Sequence, residues 1–555
     1  MDRKGWKGSV TIFFSLTCIL FLCLICSIVE SARFQGARAQ TANIAGVGTF
    51  SLLGEFEQKL LENYDIFALD ASYGKGKFQK KTVSQRLENF VSCNTNPKDG
   101  LLTSWCFDLW NLALTDCEVT DYVLLTDEKG EAFYQQAVAY MKTNLGTAAV
   151  GKLLDFARDA ESIEKKQEEY EENKSANENE LSSLEDQKQQ KLEQLESEAA
   201  EKQPAGTIEI IENGGEVSNI GNAEEGLNAN IENGTGEDLN GVIQITGDGA
   251  AGQGSQEIVP TVENPLPEIS KLRRRSVLEI VTWDKAISDK KISKSGLPSK
   301  GTSQKGTYKL EKEYSGLLAN VLFREYLLEY FPNYLDGSEN TDLAYQIEYI
   351  LGGKTTDRDN LKYVVYRLLL LREAMNYLYC VNQPQMSAQA ESLSVALTGF
   401  LGIAPLTTAT KHALLLAWAY GESLIDVRIL LDGGKVPIRK DIATWSLALE
   451  NLGRIVEILN KGAADKGKGL DYQDYLRLLL YMSSVSKQKQ RGLDLIQLNL
   501  QKEKGMEKFK AENCIVAVKT KTEWHCKPVF SGLPMSVMGI SSDDFAIVQK
   551  SSMAY

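Results

Sequence analysis

Residues 10–29 read VTIFFSLTCILFLCLICSIV, twenty positions with no charged side chain. At the ~1.5 Å rise of an α-helix this run is about 30 Å long, the thickness of a bilayer's hydrocarbon core. Arg3, Lys4 and Lys7 precede it, with Trp6 among them, and Glu30 follows it. The positive-inside bias therefore orients the first nine residues as a cytoplasmic leader and everything past Val29 outward. A cleaved secretory signal is the competing reading, since Ala37-Arg38-Ala39 has the small-x-small pattern. That site lies beyond Glu30 and Arg33, and the apolar run is longer than the ~7–15 residues of a signal core. The lipid bilayer, contacted through residues 10–29, is thus the first partner the sequence predicts, in the cell membrane and by a single pass.

Past the span, Ala32, Gly36, Ala39, Asn43 and Gly46 recur four and three residues apart, which collects small side chains on one helical stripe. Another helix can approach closely along it, whether from the chain's own domain or from another subunit. Phe50, Leu53, Phe56 and Leu60 continue an apolar face, so one helix is expected from the membrane to about Asn63.

A chain of 555 residues exceeds the ~250 at which single cores stop growing, so at least two folded units are expected. The formal net charge of -14 argues against nucleic acid as a partner, because phosphate binding runs on Lys and Arg. Only His412 and His525 are available to build a zinc site or a Ser-His or Cys-His pair. No P-loop, GxSxG elbow or HExxH helix occurs. No cofactor is expected, and no enzyme is recognisable.

The rest of the chain divides by composition. Residues 30–159 read as a helical stalk and a small outer module holding Cys93, Cys106 and Cys117. Residues 160–203 are rich in Glu, Lys and Gln, with Leu181, Leu184, Leu192 and Leu195 as the main apolar points, and fit a solvent-exposed helix or helical hairpin, or a coiled coil whose heptad slips between Leu184 and Leu192. Residues 204–270 are Gly-, Asn- and Glu-rich and repeat IENGGE at Ile211 as IENGTGE at Ile231. Such composition buries too little to offset chain entropy, which predicts a flexible insertion. Residues 271–555 form a mainly helical outer domain. A basic cluster at Lys271, Arg273, Arg274 and Arg275 opens it as a solvated charge run, and VLEIVTW from Val277 suggests a strand. A long helix is expected from about Thr407 to Leu431, stopped at Gly433-Gly434. CIVAVKTKTEWHC, from Cys514 to Cys526, suggests a hairpin turning near Lys519 to Lys521, across which the two cysteines can face each other as a disulfide or as separate buried thiols. The fold class is mainly α with minor β.

The best acid/base candidate is Glu422 with Asp426, four residues apart on one helical face in an apolar run, with His412 upstream. Arg428, Lys435, Arg439 or Lys440 can pair with them, and a buried ion-pair network perturbs carboxylates as a catalytic site does. The burial of the pair discriminates: an open groove favours an anchored enzyme or ligand-binding protein, packing against Arg or Lys a structural role. Asp357, Arg358, Asp359 and Asn360 invite a metal reading, but an Asp at a helix start is explained by capping.

Two resemblances add to this. KGSVTIFFSL, the apolar run, and ESARFQGARAQTANIAGVGTFSLLGEFEQKLLENYDIFALD resemble the N-terminal region of TadE/TadG-like proteins of Tad (Flp-type) pilus systems. That resemblance implies processing between Gly8 and Ser9 and a pseudopilin-like role with envelope or pilus partners. Phe13 stands where pilin-type segments usually carry glutamate. LGGKTTDRDNLKYVVYRLLLLREAMN, AYGESLIDVRILLDGGKVPIRK and GLDYQDYLRLLLYM resemble an uncharacterised family of Gram-positive membrane proteins, which implies a shared fold and envelope location without an assigned activity. The expectation is a non-enzymatic, membrane-anchored structural or assembly component.

Overall fold

A computed structural model describes residues 6–95, 109–202, 209–211, 242–244, 264–282, 285–337, 340–461, 467–530 and 544–555. It is mainly helical with a small antiparallel sheet. Helix α1 (Trp6–Leu53) is unbroken through the apolar run, whose large side chains are exposed; it is the one described helix long and apolar enough to span a membrane. It ends ten residues before the expected Asn63. Gly54 closes the last turn on the Phe50 carbonyl, and Glu57 caps a separate helix α2 (Gln58–Tyr64). The apolar spacing carried across this break because Leu60 and Tyr64 remain buried.

The chain continues through β1 (Leu69–Asp70), α3 (Lys80–Thr95), β2 (Leu112–Leu124), α4 (Asp127–Asn144) and α5 (Thr147–Lys202). Most of 204–270 lies outside the described residues. Within it, β3 (Glu209–Ile211) pairs antiparallel with β4 (Val242–Gln244). The helical body follows as α6 (Leu266–Arg274), α7 (Val277–Val281), α8 (Gly316–Tyr330), α9 (Gln346–Gly352), α10 (Asp357–Asn382), α11 (Pro384–Thr398), α12 (Ala404–Leu431), α13 (Ile455–Asn460), α14 (Tyr472–Tyr481) and α15 (Val485–Gln501), and the chain closes with β5 (Cys514–Cys526) and β6 (Phe545–Ala554).

Strand β5 is the centre of the sheet. β2 lies antiparallel on one edge, with Leu112 opposite Cys526 and Leu124 opposite Ile515. β6 lies antiparallel on the other, with Phe545 opposite Cys526 and Ala554 opposite Ala517, and β1 extends that edge at Ile515. The expected hairpin within Cys514–Cys526 is therefore a single strand. Its Lys-Thr-Lys centre looked like a turn, but the strand's alternation aims Thr520 inward, 2.9 Å from the Thr49 hydroxyl, and leaves Lys519 exposed. Cys514 and Cys526 sit at opposite ends of the strand, about 40 Å apart at ~3.3 Å per residue, against the ~7 Å limit between bridged Cα atoms. They are two separate buried thiols.

The sheet thus joins residues from both ends of the chain, and the helical body is inserted between β2 and β5. Successive turns of α1 bury Ala37, Thr41, Ile44, Ala45, Thr49 and Leu52 against α3 and the sheet, a core that includes Trp524. α1 and β6 run in the same direction: Phe34 packs against Phe545 with ring centroids 5.0 Å apart, Gln549 donates to the Arg38 carbonyl at 3.1 Å, and the Tyr555 hydroxyl reaches the Leu53 carbonyl. The helical body therefore joins the module at the end far from residues 10–29.

In the body, α12 is buried on every side from Leu414 to Leu431, its apolar residues facing the core all round and its few charged side chains buried with them. The segment VLEIV is α7 rather than a strand. Its β-branched residues suit either form, and packing of Leu278, Ile280 and Val281 in the helical core decides. α5 is one helix of 56 residues. Its buried stripe of Ala157, Ala160, Ile163, Gln167, Tyr170 and Asn177 docks on the body, so it is neither fully exposed nor a hairpin. Small and polar members hid that stripe from an apolar-pattern reading. Leu181, Leu184, Leu192 and Leu195 meet Leu401, Ile403 and Leu406 at the far end.

Candidate functional site

Glu422 and Asp426 project from one face of α12, as the spacing of four requires, and both are completely buried. They line no groove. The space beside them, bordered by Val436, Pro437, Thr444 and Ser446, holds about 10 Å³, at or below what one water needs.

Each carboxylate is met by a cation. Arg372, fully buried on α10, donates from Nε to Asp426 Oδ2 at 3.0 Å, from Nη2 to Asn376 at 3.0 Å, and from Nη1 to the carbonyls of Pro437 and Ile438 at 2.9 and 3.0 Å and to the Tyr475 hydroxyl at 3.0 Å. Asn376 in turn donates to Asp426 Oδ2 and Ser423, both at 2.9 Å. Lys440 lies 2.6 Å from Asp426 Oδ1 and pairs with Glu422. The remaining Glu422 valence is filled by the Ser446 and Leu447 amides at 3.0 and 2.7 Å.

Burial opposes the Asp426 charge, but Arg372 and Lys440 outweigh it and hold the carboxyl below its ordinary range. Burial pushes Glu422 up, with Lys440 opposing and Asp426 adding repulsion. Two cations against two anions, with every fork of the guanidinium used, is a structural cross-link of α10, α12, α14 and the 436–447 segment.

Of the four cations suggested by the sequence, only Lys440 pairs with these acids. Arg428 instead reaches Asp432 at 3.4 Å and the Val281 carbonyl at 3.3 Å. Arg372 was missed, although its spacing from Val365 and Leu368 puts a charge on the apolar face of α10, the signal that could have found it. His412 sits 3.4 Å from the Tyr377 hydroxyl, apart from the carboxylates.

The other sequence candidates fall as follows. Thr356, not Asp357, caps α10, accepting from the Asp359 amide at 3.1 Å. Asp357 is buried and accepts from the Ser288 hydroxyl at 2.6 Å and the Ala344 amide at 2.9 Å, so its oxygens are committed inside the body. Among the described residues no three His, Cys, Asp or Glu side chains converge in a metal-binding arrangement. In the basic cluster, Arg273 is no solvated charge: it pairs with buried Glu373 at 2.5 Å and lies over the Tyr420 ring. Gly8 and Ser9 fall in the first turns of α1. Of the small-residue stripe, Gly36 faces Trp110 so closely that an added Cβ would lie 2.3 Å from the indole. Ala32, Ala39 and Asn43 are exposed, and Gly46 has open space above it.

Two arrangements escaped the sequence reading. Glu30 and Arg33, read only as flanks of the span, form a buried pair at 2.6 Å. Arg33 also donates to the carbonyls of Leu109, Trp110 and Lys527 at 3.0, 2.7 and 2.6 Å. Glu30 accepts from the Val529 and Phe530 amides at 3.2 and 2.7 Å. Two residues of α1, one turn apart, thus grip the start of β2 and the segment after β5.

The second is Glu348, fully buried on α9, which accepts from the Tyr472 hydroxyl at 2.7 Å and the Tyr334 amide at 2.9 Å. Burial pushes this carboxyl up to about 7, those two hydrogen bonds oppose, and Asp357 adds repulsion. The folded state therefore holds the proton more tightly than the unfolded chain. The resulting stabilisation is complete below the ordinary value of 4.5, declines as pH rises, and is gone above about 7. Glu348→Gln keeps a neutral side chain at all pH. Its stability relative to the unaltered protein is expected to rise by roughly 3 kcal/mol between acidic and mildly alkaline pH. Urea unfolding of both proteins across that range measures this, and a pH-independent difference refutes it.

Residues 255–526 match the model of a family of unknown function, DUF5702. The resemblance of the first seventy or so residues to TadE/TadG-like proteins gains no support from the family comparison. No curated protein and no solved structure matches the chain.

Proposed function

We propose that this protein is a non-catalytic, single-pass membrane component of the cell envelope that holds a helical body outside the membrane for assembly with other envelope proteins, in the manner of a minor pseudopilin-like or accessory subunit. The observation that carries this reading is the continuity of α1: one helix passes from the bare apolar run directly into the Glu30–Arg33 grip and becomes the spine of the sheet module. Lys4 and Lys7 ahead of the run favour a cytoplasmic N-terminus.

The partner-facing element is the side of α1 turned away from the sheet. Ala32, Ala39 and Asn43 leave it shallow, and Val47 and Phe50 are 49% and 66% exposed. Phe50 lies 21 residues past Val29, about 32 Å along the helix, so lipid does not cover it. A second helix laid along this stripe buries both apolar side chains with close backbone approach. The packing of Glu422 and Asp426 against Arg372 and Lys440 weighs on the structural side of the enzyme question.

A photoreactive residue placed at Ala39 or Asn43 in the native host is expected to crosslink to an α-helix of another envelope protein. Impermeant amine reagents on intact cells are expected to modify body lysines such as Lys309 and spare Lys4 and Lys7. Labelling of Lys4 and Lys7 would overturn the orientation. Failure of both positions to crosslink at native expression would overturn the assembly role.

A further inference from the structure

The geometry points to the base of the sheet module as a membrane-interfacial surface, seated in the lipid headgroups beside α1; this rests on the reading that residues 10–29 lie in lipid. The argument is one of height. Arg33 is four residues past Val29, about 6 Å along the helix axis, and a headgroup layer is roughly 5–8 Å thick on each side of the hydrocarbon. Whatever Arg33 holds by direct hydrogen bonds therefore lies at headgroup depth. It holds the Leu109, Trp110 and Lys527 carbonyls, all within 3.0 Å. The Glu30 carboxylate, nearer still to the span, holds Val529 and Phe530.

The composition of this base fits such a depth. Leu109 and Phe545 are each 42% exposed, large apolar side chains that the described chain covers only in part. Phe545 packs against Phe34, one turn past Glu30, which puts it at the same level. Trp110 and Phe530 are half-buried beside them, and Lys527 is exposed. Aromatic rings with a lysine at the edge of an apolar span are the side chains that partition into the interface. The only charges on α1 at this level, Glu30 and Arg33, neutralise each other out of solvent. A free stalk between span and module would leave these rings in water, and the Glu30–Arg33 grip rules out a free stalk.

The test uses the full-length protein in phosphatidylcholine liposomes, with a diazirine amino acid at one position at a time and lipid adducts read by mass spectrometry. Positions Leu109 and Phe545 are expected to give lipid adducts at yields approaching those from Ile19 in the span. Ile442, 69% exposed on the helical body, is expected to give none. Adducts at Ile19 with none at Leu109 or Phe545 overturn the interfacial base and leave the anchor standing. No adduct at Ile19 overturns the anchor and the inference with it. Adducts at Ile442 as strong as those at the base also overturn the inference, since contact would then not follow height.

Discussion

Arg372→Met is expected to destabilise the helical body by about 3–5 kcal/mol, the cost of breaking a buried ion-pair network by removing one cation. The substitution conserves length and fills space, so little of the loss comes from a cavity. What it removes is a donor to Asp426, Asn376, Tyr475 and the Pro437 and Ile438 carbonyls at once. Lys440 alone then faces two carboxylates, Glu422 and Asp426, in a space without room for water to replace the guanidinium. Arg372→Lys keeps the charge but not the planar fork, and is expected to recover only part of the loss. The double variant Arg372→Met with Asp426→Leu is expected to be more stable than Arg372→Met alone, because it removes the stranded charge. Urea unfolding of the full-length protein in detergent, followed by far-ultraviolet circular dichroism, measures all three. A loss under about 1 kcal/mol for Arg372→Met, the range of an exposed pair, would refute the cross-link.

The parts of this fold that were legible in the sequence are those governed by a single local rule. The apolar run had to be helical in lipid, α12 showed itself by length and its Gly433-Gly434 stop, and Gly353 ends α9 in the left-handed conformation at φ 61°. What was hidden depends on partners distant in the chain. β5 read as a hairpin because its lysines and threonines resemble a turn, and it takes β2, some 400 residues earlier, on one edge and β6 on the other to make it a central strand. α7 read as a strand because five residues carry too little periodicity to choose. At the candidate site, Glu422 and Asp426 were visible from spacing and Lys440 from proximity. Arg372, 54 residues before Asp426, was visible only as an anomaly on an apolar face. The Glu30–Arg33 grip was masked by its position, since charges beside a membrane span have a sufficient explanation in topology.

That grip gives the second large effect. Arg33→Ala is expected to release the base of the sheet module without unfolding the whole chain. Arg33 supplies donors to three carbonyls, and its loss takes the paired cation away from the buried Glu30 carboxylate, which also accepts from the Val529 and Phe530 amides. The farther turns of α1 keep their own attachments through Thr49, Leu52 and the Tyr555 hydroxyl, and the helical body has a separate core. The cost of about 3–5 kcal/mol for a broken buried pair is therefore expected as local opening. Amide hydrogen exchange at Leu112, Cys526, Lys527, Val529 and Phe530 should accelerate by roughly a hundredfold or more, while Val516 to Thr520 and the body helices stay protected. Uniform acceleration would mean that the pair stabilises the whole fold, and unchanged exchange at the base would mean that it stabilises nothing. Glu30→Gln provides the opposite arm: it keeps an acceptor for Arg33 but strands the guanidinium charge, so it should loosen the same segment less than Arg33→Ala, which forfeits three carbonyl bonds as well. A module loosened at its base while its upper turns hold is free to tilt about α1, and only a rigid grip lets the direction of one membrane helix set the direction in which the whole outer body faces its partners.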